Sequence, residues 1–208
     1  MKVYLLGGFD YRSGAVSPVD RRCVADAVRK SVYVLDVTSN DRAKIEAYRP
    51  MLEEYFLNVG ATTAAFLSLS KGREEIEQRF EHSGIIYVPG GDTRVLIENL
   101  ETLHLAALLK RASCSVAGNS AGAIALCTDA ILTIDDDVKA TTVLPGVGLV
   151  DFSVDPHYGS SHDEELLPLS RGRVIYGLPE QSAIIYDGSV ECVGPVWRFA
   201  DGKKARAN

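Results

Sequence analysis

Through roughly the first 130 residues, short apolar runs alternate with stretches of helical spacing. Val3–Leu6 is continuously apolar and stops at Gly7-Gly8, which predicts a buried strand. Pro18–Lys30 predicts a helix, with Ser17 as its N-cap and proline at the first helical position. Val32–Val37 is rich in β-branched residues and predicts a second strand. Asp41–Leu57 carries helix formers and ends near Gly60. Thr62–Leu69 predicts a third strand, Gly72–Phe80 a charged helix, and Ile85–Val88 a fourth strand cut by Pro89-Gly90-Gly91. Thr93–Ala112 predicts one long helix, with Leu96, Leu100, Leu103 and Ala107 on one face. Ser115–Ala117 predicts a fifth strand.

After Thr128 the pattern changes. Leu149–Val154, Arg173–Gly177, Ala183–Tyr186, Val190–Val193 and Val196–Phe199 are strand-like and separated by turn residues. Asp187-Gly188 and Asp201-Gly202 are hairpin signals. The polar tail Lys203–Asn208 is expected to fray. Together these features predict an α/β three-layer sandwich with a mostly parallel central sheet, extended at its C-terminal end by antiparallel strands of the same sheet. Neither an internal repeat nor a linker divides the chain, so residues 1–208 are expected to form a single domain.

Ligands of such sheets bind beyond the carboxyl ends of the strands. Gly7-Gly8, Gly90-Gly91 and Ser120 all fall at those ends. Gly118-Asn119-Ser120-Ala121-Gly122 fits the nucleophile-elbow pattern Gly-x-Ser-x-Gly, which exposes a serine on a tight strand-to-helix turn. The apolar run before it and the helix-compatible run Ala121–Cys127 after it supply the context the motif needs.

A serine hydroxyl needs a base to take its proton. Of the four histidines, His82 reads as solvated and His104 as structural. His157 stands in Asp155-Pro156-His157-Tyr158-Gly159, a setting rigid enough to hold a general base, and is favoured over His162 in its polar run. The carboxylate that orients the imidazole is either Asp135, first of the run Asp135-Asp136-Asp137, or Glu180 in Gly177-Leu178-Pro179-Glu180; the pattern does not separate them. An oxyanion is expected to meet the backbone N–H of Ala121 and that of Gly90 or Gly91. The turn Pro89-Gly90-Gly91-Asp92 lacks the Lys-Ser/Thr ending of a phosphate loop.

Composition narrows the classes. The chain is 46% hydrophobic and 24% charged, ordinary for a globular protein. Its net charge of −6, with no basic stripe, argues against a nucleic-acid partner. The four cysteines lack metal-ligand spacing and read as free thiols of a reducing compartment. With neither a signal-peptide layout nor a long apolar span, the expected location is cytoplasmic, away from membranes.

Val88-Pro89-Gly90-Gly91-Asp92-Thr93, Gly118–Ala123, Asp155-Pro156-His157-Tyr158 and Gly177-Leu178-Pro179-Glu180, in this order, resemble the serine peptidase family that includes dipeptidase E and cyanophycinase. The resemblance implies a class I glutamine amidotransferase-like (flavodoxin-like) fold with serine at the elbow. It implies Ser120 as nucleophile and His157 as base. Asp135 falls where dipeptidase E places its proposed acid, and Glu180 matches the orienting carboxylate of cyanophycinase-like members. The implied reaction is hydrolysis of short peptides with N-terminal aspartate, with no metal and no cofactor; separately, a monomer or homodimer is expected. Asp92, Thr93, Arg94, Asn119 and Arg171 are the expected substrate-binding residues; either arginine suits a substrate carboxylate. The segment after the histidine is shorter than in dipeptidase E, and Arg94 replaces an aromatic common there. Two other readings are an α/β-hydrolase esterase sharing the same elbow and an inactive ligand-binding protein that kept the crevice.

Overall fold

A computed structural model describes residues 1–135 and 138–208. The central sheet has seven strands in the order β11-β10-β1-β5-β4-β2-β3. Its parallel part comprises β1 (Val3–Leu6), β2 (Ser31–Val34), β3 (Thr63–Phe66), β4 (Ile85–Val88) and β5 (Ser115–Asn119). β10 (Ala183–Tyr186) and β11 (Val190–Val193) join it antiparallel, β10 against β1. The inner strands β1, β2, β4, β5 and β10 are largely buried on both faces, so their side chains alternate between two cores. Val3 and Leu5 of β1 pack into one, Tyr4 and Leu6 into the other.

Helices α1 (Pro18–Asp26) and α2 (Arg42–Val59) cover one face with Val19, Cys23, Leu52 and Phe56. Helices α3 (Arg73–His82), α4 (Thr93–Thr102), α5 (Leu105–Arg111) and α6 (Ala121–Leu126) cover the other. Ser17 caps α1, with Pro18 at the first helical position as the sequence predicts.

Three expectations are corrected. Thr93–Ala112 is not one helix: it breaks at His104, whose φ of 54° is left-handed, and α5 restarts there. The apolar spacing continues across this short break, so the pattern does not reveal it.

The strand-rich C-terminal part is only partly an extension of the central sheet. β8 (Ser153–Pro156), β9 (Ile175–Leu178), β12 (Trp197–Ala200) and β13 (Lys203–Arg206) form a second sheet in the order β13-β12-β9-β8. β6 (Asp129–Leu132) and β7 (Thr142–Pro145), neither expected as strands, pair antiparallel. A small core of Ile131, Tyr158, Leu166, Ile175 and Phe199 ties β6, the second sheet and α7 (Asp163–Leu169) together.

The tail does not fray at Lys203. It pairs with β12 through a two-residue turn in which Asp201 and Gly202 both have positive φ, the geometry whose twist matches a hairpin.

Candidate active site

The elbow forms because its glycines permit close approach. A Cβ on Gly122 would lie 2.0 Å from the Val88 carbonyl oxygen, and one on Gly118 would lie 2.5 Å from the Gly122 backbone. Strand β5 can therefore turn directly into α6 beneath β4. Ser120, at the turn, has φ 52° and ψ −114°, a strained conformation for a non-glycine residue. Its N–H donates to the Leu6 carbonyl at 3.1 Å, which fixes it at the carboxyl end of β1.

The structure brings Ser120, His157 and Glu180 together. Ser120 Oγ lies 2.8 Å from His157 Nε2, and His157 Nδ1 lies 3.0 Å from Glu180 Oε1. A carboxylate only accepts, so Glu180 selects the imidazole tautomer with the proton on Nδ1 and leaves Nε2 to accept from Ser120. His157 follows β8, and its N–H donates to the Gly7 carbonyl at 2.5 Å. Gln181, beside Glu180, donates its N–H to the Gly8 carbonyl at 3.0 Å. The Gly7-Gly8 turn thus holds both loops. A Cβ on Gly8 would lie 2.3 Å from the His157 ring, so that position has no room for a side chain.

Asp135 lies elsewhere. It follows β6, and its carboxylate accepts from the N–H of Val138 at 2.6 Å. Asp136 and Asp137, the rest of that acidic run, lie outside the described residues.

Ser120 and His157 open onto a cavity of about 600 Å³. Gly90, Gly91, Asp92 and Asn119 line it. A Cβ on Gly90 would lie 3.4 Å from Ser120 Cβ, so the Gly-Gly turn passes beside the hydroxyl. Asp92 caps α4, accepting from the N–H groups of Arg94 and Val95, and Thr93 begins that helix. Asn119 is buried and reaches the Phe9 carbonyl with Nδ2 at 3.5 Å. Arg94 is not part of this lining; its Nη2 donates to Thr142 Oγ1 at 2.8 Å. Arg171 lies against the Gly202 turn of the second sheet, also outside the lining.

The cations of the cavity are Arg12 and Lys44, which sequence reasoning missed. Arg12 lies in the 3-10 turn Tyr11–Ser13 beyond β1, with its guanidinium 5.0 Å from the centroid of the Tyr48 ring. Lys44 is in the first turn of α2, one turn before Tyr48. Neither has an ion-pair partner among the described residues. The available signal was positional: Phe9–Arg12 continues from the Gly-Gly end of the first strand.

Behind that wall, Tyr11 stacks edge-on against Phe9 and Tyr55, and its hydroxyl meets that of Tyr87 at 2.6 Å. Tyr55 donates to Asp20 Oδ2 at 2.6 Å. Asp20 is 1% exposed, and burial pushes its carboxyl from 3.8 up to about 7, against the opposing hydrogen bonds of Tyr55 and Ser17. Its folded pKa exceeds its unfolded one, so the native state holds the extra proton between these values. This group therefore removes stability as pH rises from 3.8 to about 7. Asp20→Asn should flatten that decline, and melting temperatures at about pH 5 and about pH 8 measure it in both proteins. An equal decline in the variant would show that Asp20 does not titrate this way.

The model of peptidase family S51 matches residues 26–191. No curated protein sequence matches the chain. Among solved structures, a peptidase from an acI-B1 Actinobacterium is similar over 99% of this chain and 96% of its own, with TM-score 0.71 and 18% identity. A provisionally assigned peptidase E protein from Listeria monocytogenes EGD-e is similar over 92% and 97%, with TM-score 0.67 and 24% identity. At these identities the structural likeness speaks for the fold: a mostly parallel central sheet flanked by helices. Among the described residues, no helix is long and apolar enough to cross a membrane.

Proposed function

Since this chain belongs to peptidase family S51 and is a serine-type peptidase, we propose that it hydrolyses dipeptides or short peptides, preferring N-terminal aspartate, through an acyl-enzyme on Ser120. The observation that carries the mechanism is the continuous path Ser120 Oγ, His157 Nε2, His157 Nδ1, Glu180 Oε1. In this reading His157 takes the Ser120 proton as Oγ attacks the scissile carbonyl. Glu180 holds the ring and stabilises the imidazolium. The N–H of Ala121 and that of Gly90 or Gly91 receive the oxyanion, supported by the passage of the Gly-Gly turn beside Ser120. His157 then protonates the leaving amine, and water, activated in the same way, releases the acyl group.

The preference for an acidic residue draws support from Arg12 and Lys44 on the cavity wall, in place of Arg94 and Arg171. Asp92 and Asn119 line the same cavity and would orient the rest of the substrate. We assign the fold to the class I glutamine amidotransferase-like type and the whole chain to one catalytic unit. A cytoplasmic setting suits the four unpaired thiols.

Hydrolysis of Asp-Leu, Asn-Leu, Ala-Leu and N-acetyl-Asp-Leu tests the specificity. Asp-Leu should be cleaved in preference to Asn-Leu. Arg12→Gln and Lys44→Gln should each raise KM for Asp-Leu by about tenfold and leave Asn-Leu within about twofold. Equal turnover of Asp-Leu and Asn-Leu would refute the acidic preference and leave peptidase activity standing.

A further inference from the structure

A second histidine–carboxylate pair sits close to the first. His162 Nδ1 lies 2.7 Å from Asp155 Oδ2. Asp155 belongs to β8 and is 1% exposed; Thr133 donates to its other oxygen at 2.9 Å. His162 ends the 3-10 turn Ser160–His162, and its side chain is 18% exposed. The proton path from Ser120 does not pass through this pair.

Its position in the chain suggests another role. Asp155 and His162 bracket residues 156–161, the loop that carries His157. His157 has a φ of 52°, a left-handed conformation that a non-glycine residue keeps only when its surroundings impose it. Backbone bonds from His157 to Gly7 and from Tyr158 to Leu178 hold the start of the loop. The Asp155–His162 pair ties its two ends together.

We propose that His162 is a positioning residue for His157: its ion pair with Asp155 closes the loop and keeps the imidazole aligned between Ser120 and Glu180. This inference rests on the reading of His157 as general base.

The charged surroundings favour the pair. Asp155 faces His162 from β8, Glu165 from α7, and Asp135 from the segment after β6. Asp163, next in the chain, is paired with Lys204 at 2.8 Å, and Tyr158 meets the His162 ring edge-on. The hydrogen bond to Asp155 and these carboxylate charges raise the His162 pKa above 6.5, against the opposing effect of burial. A raised histidine pKa means that the charged pair is complete below 6.5 and weakens as pH rises through the higher folded value. A neutral imidazole donates a weaker bond to Asp155.

The test compares wild type, His162→Phe and His162→Lys by three measurements. These are peptide kinetics across pH, the rate of Ser120 phosphonylation by a fluorophosphonate, and NMR of the His157 Nδ1 proton bonded to Glu180. We expect His162→Phe to lower kcat and phosphonylation about tenfold with KM within about twofold, since small misalignments are costly. The wild type should lose rate as His162 deprotonates, and the phenylalanine variant should lack that alkaline decline. His162→Lys, which returns a cation to Asp155, should recover most of the rate and keep it at high pH. A folded phenylalanine variant with wild-type rates, or a lysine variant without rescue, would overturn the proposal. If the phenylalanine variant does not fold, the pH profile of the lysine variant decides alone. A wild type that neither hydrolyses peptides nor reacts with the fluorophosphonate would instead sink the general-base reading. In that case the NMR signal still decides the clamp, because an unchanged His157–Glu180 proton in His162→Phe refutes it.

Discussion

Ser120→Ala should lower kcat/KM for peptide hydrolysis by at least about 10⁴-fold, the scale on which triad nucleophiles fail when removed. The reason is local. Ser120 Oγ is the atom aligned with His157 Nε2, and the hydroxyl bonds to that ring at 2.8 Å. Alanine at φ 52° keeps the elbow's backbone, and Gly118 and Gly122 still provide its close approach. The melting temperature should therefore stay within about 2 °C of wild type, as for a surface-facing change that leaves no buried group unpaired. Initial rates with Asp-Leu and a thermal unfolding curve on the same preparation check both statements. A variant retaining more than about a tenth of the wild-type rate would exclude an acyl-enzyme on this serine.

The second large effect separates two carboxylates. Glu180→Gln should lower kcat by about 10² to 10⁴-fold, while Asp135→Asn should leave it within about threefold. A glutamine amide offers an N–H to His157 Nδ1, which favours the tautomer with the proton on Nε2. That tautomer presents a donor to Ser120 and cannot act as its base. Asp135 accepts from Val138 and contributes its charge at His162, whereas the carboxylate bonded to His157 Nδ1 is that of Glu180. Steady-state kinetics of the two variants side by side measure the contrast. Reversed effects would return the orienting role to Asp135.

Much of this arrangement was legible because it depends on local pattern. Apolar runs followed by helical spacing give the parallel strands, and Gly-x-Ser-x-Gly with a helix behind it gives the elbow. The four motif segments also gave the family. The choice between Asp135 and Glu180 was not legible, since it depends on which loop returns to Gly7-Gly8. That turn binds the backbone of His157 and Gln181 across more than a hundred residues of chain.

The cavity wall was hidden for a similar reason. Arg12 and Lys44 come from different elements and converge only because α2 packs beside the turn after β1. Arg94 follows the Gly-Gly-Asp-Thr turn and Arg171 lies in the shortened segment after the histidine, yet one is directed to Thr142 and the other rests on a hairpin. His104 shows the limit of periodicity: a single left-handed residue splits a helix without disturbing its apolar face. The second sheet escaped notice because strand pattern reports alternation, not partners. The short strands β9 and β10 read alike but enter different sheets.

That division of strands bears on how the enzyme is made. A chain growing from its N-terminus acquires the five parallel strands and the elbow before His157 or Glu180 has been synthesised. On the proposed mechanism Ser120 has no base during that interval, and its hydroxyl is not yet activated. His157 arrives just after β8, and Glu180 on the link between β9 and β10, which crosses from one sheet to the other. On the proposed mechanism, proteolytic competence waits until the last third of the polypeptide has been made and docked.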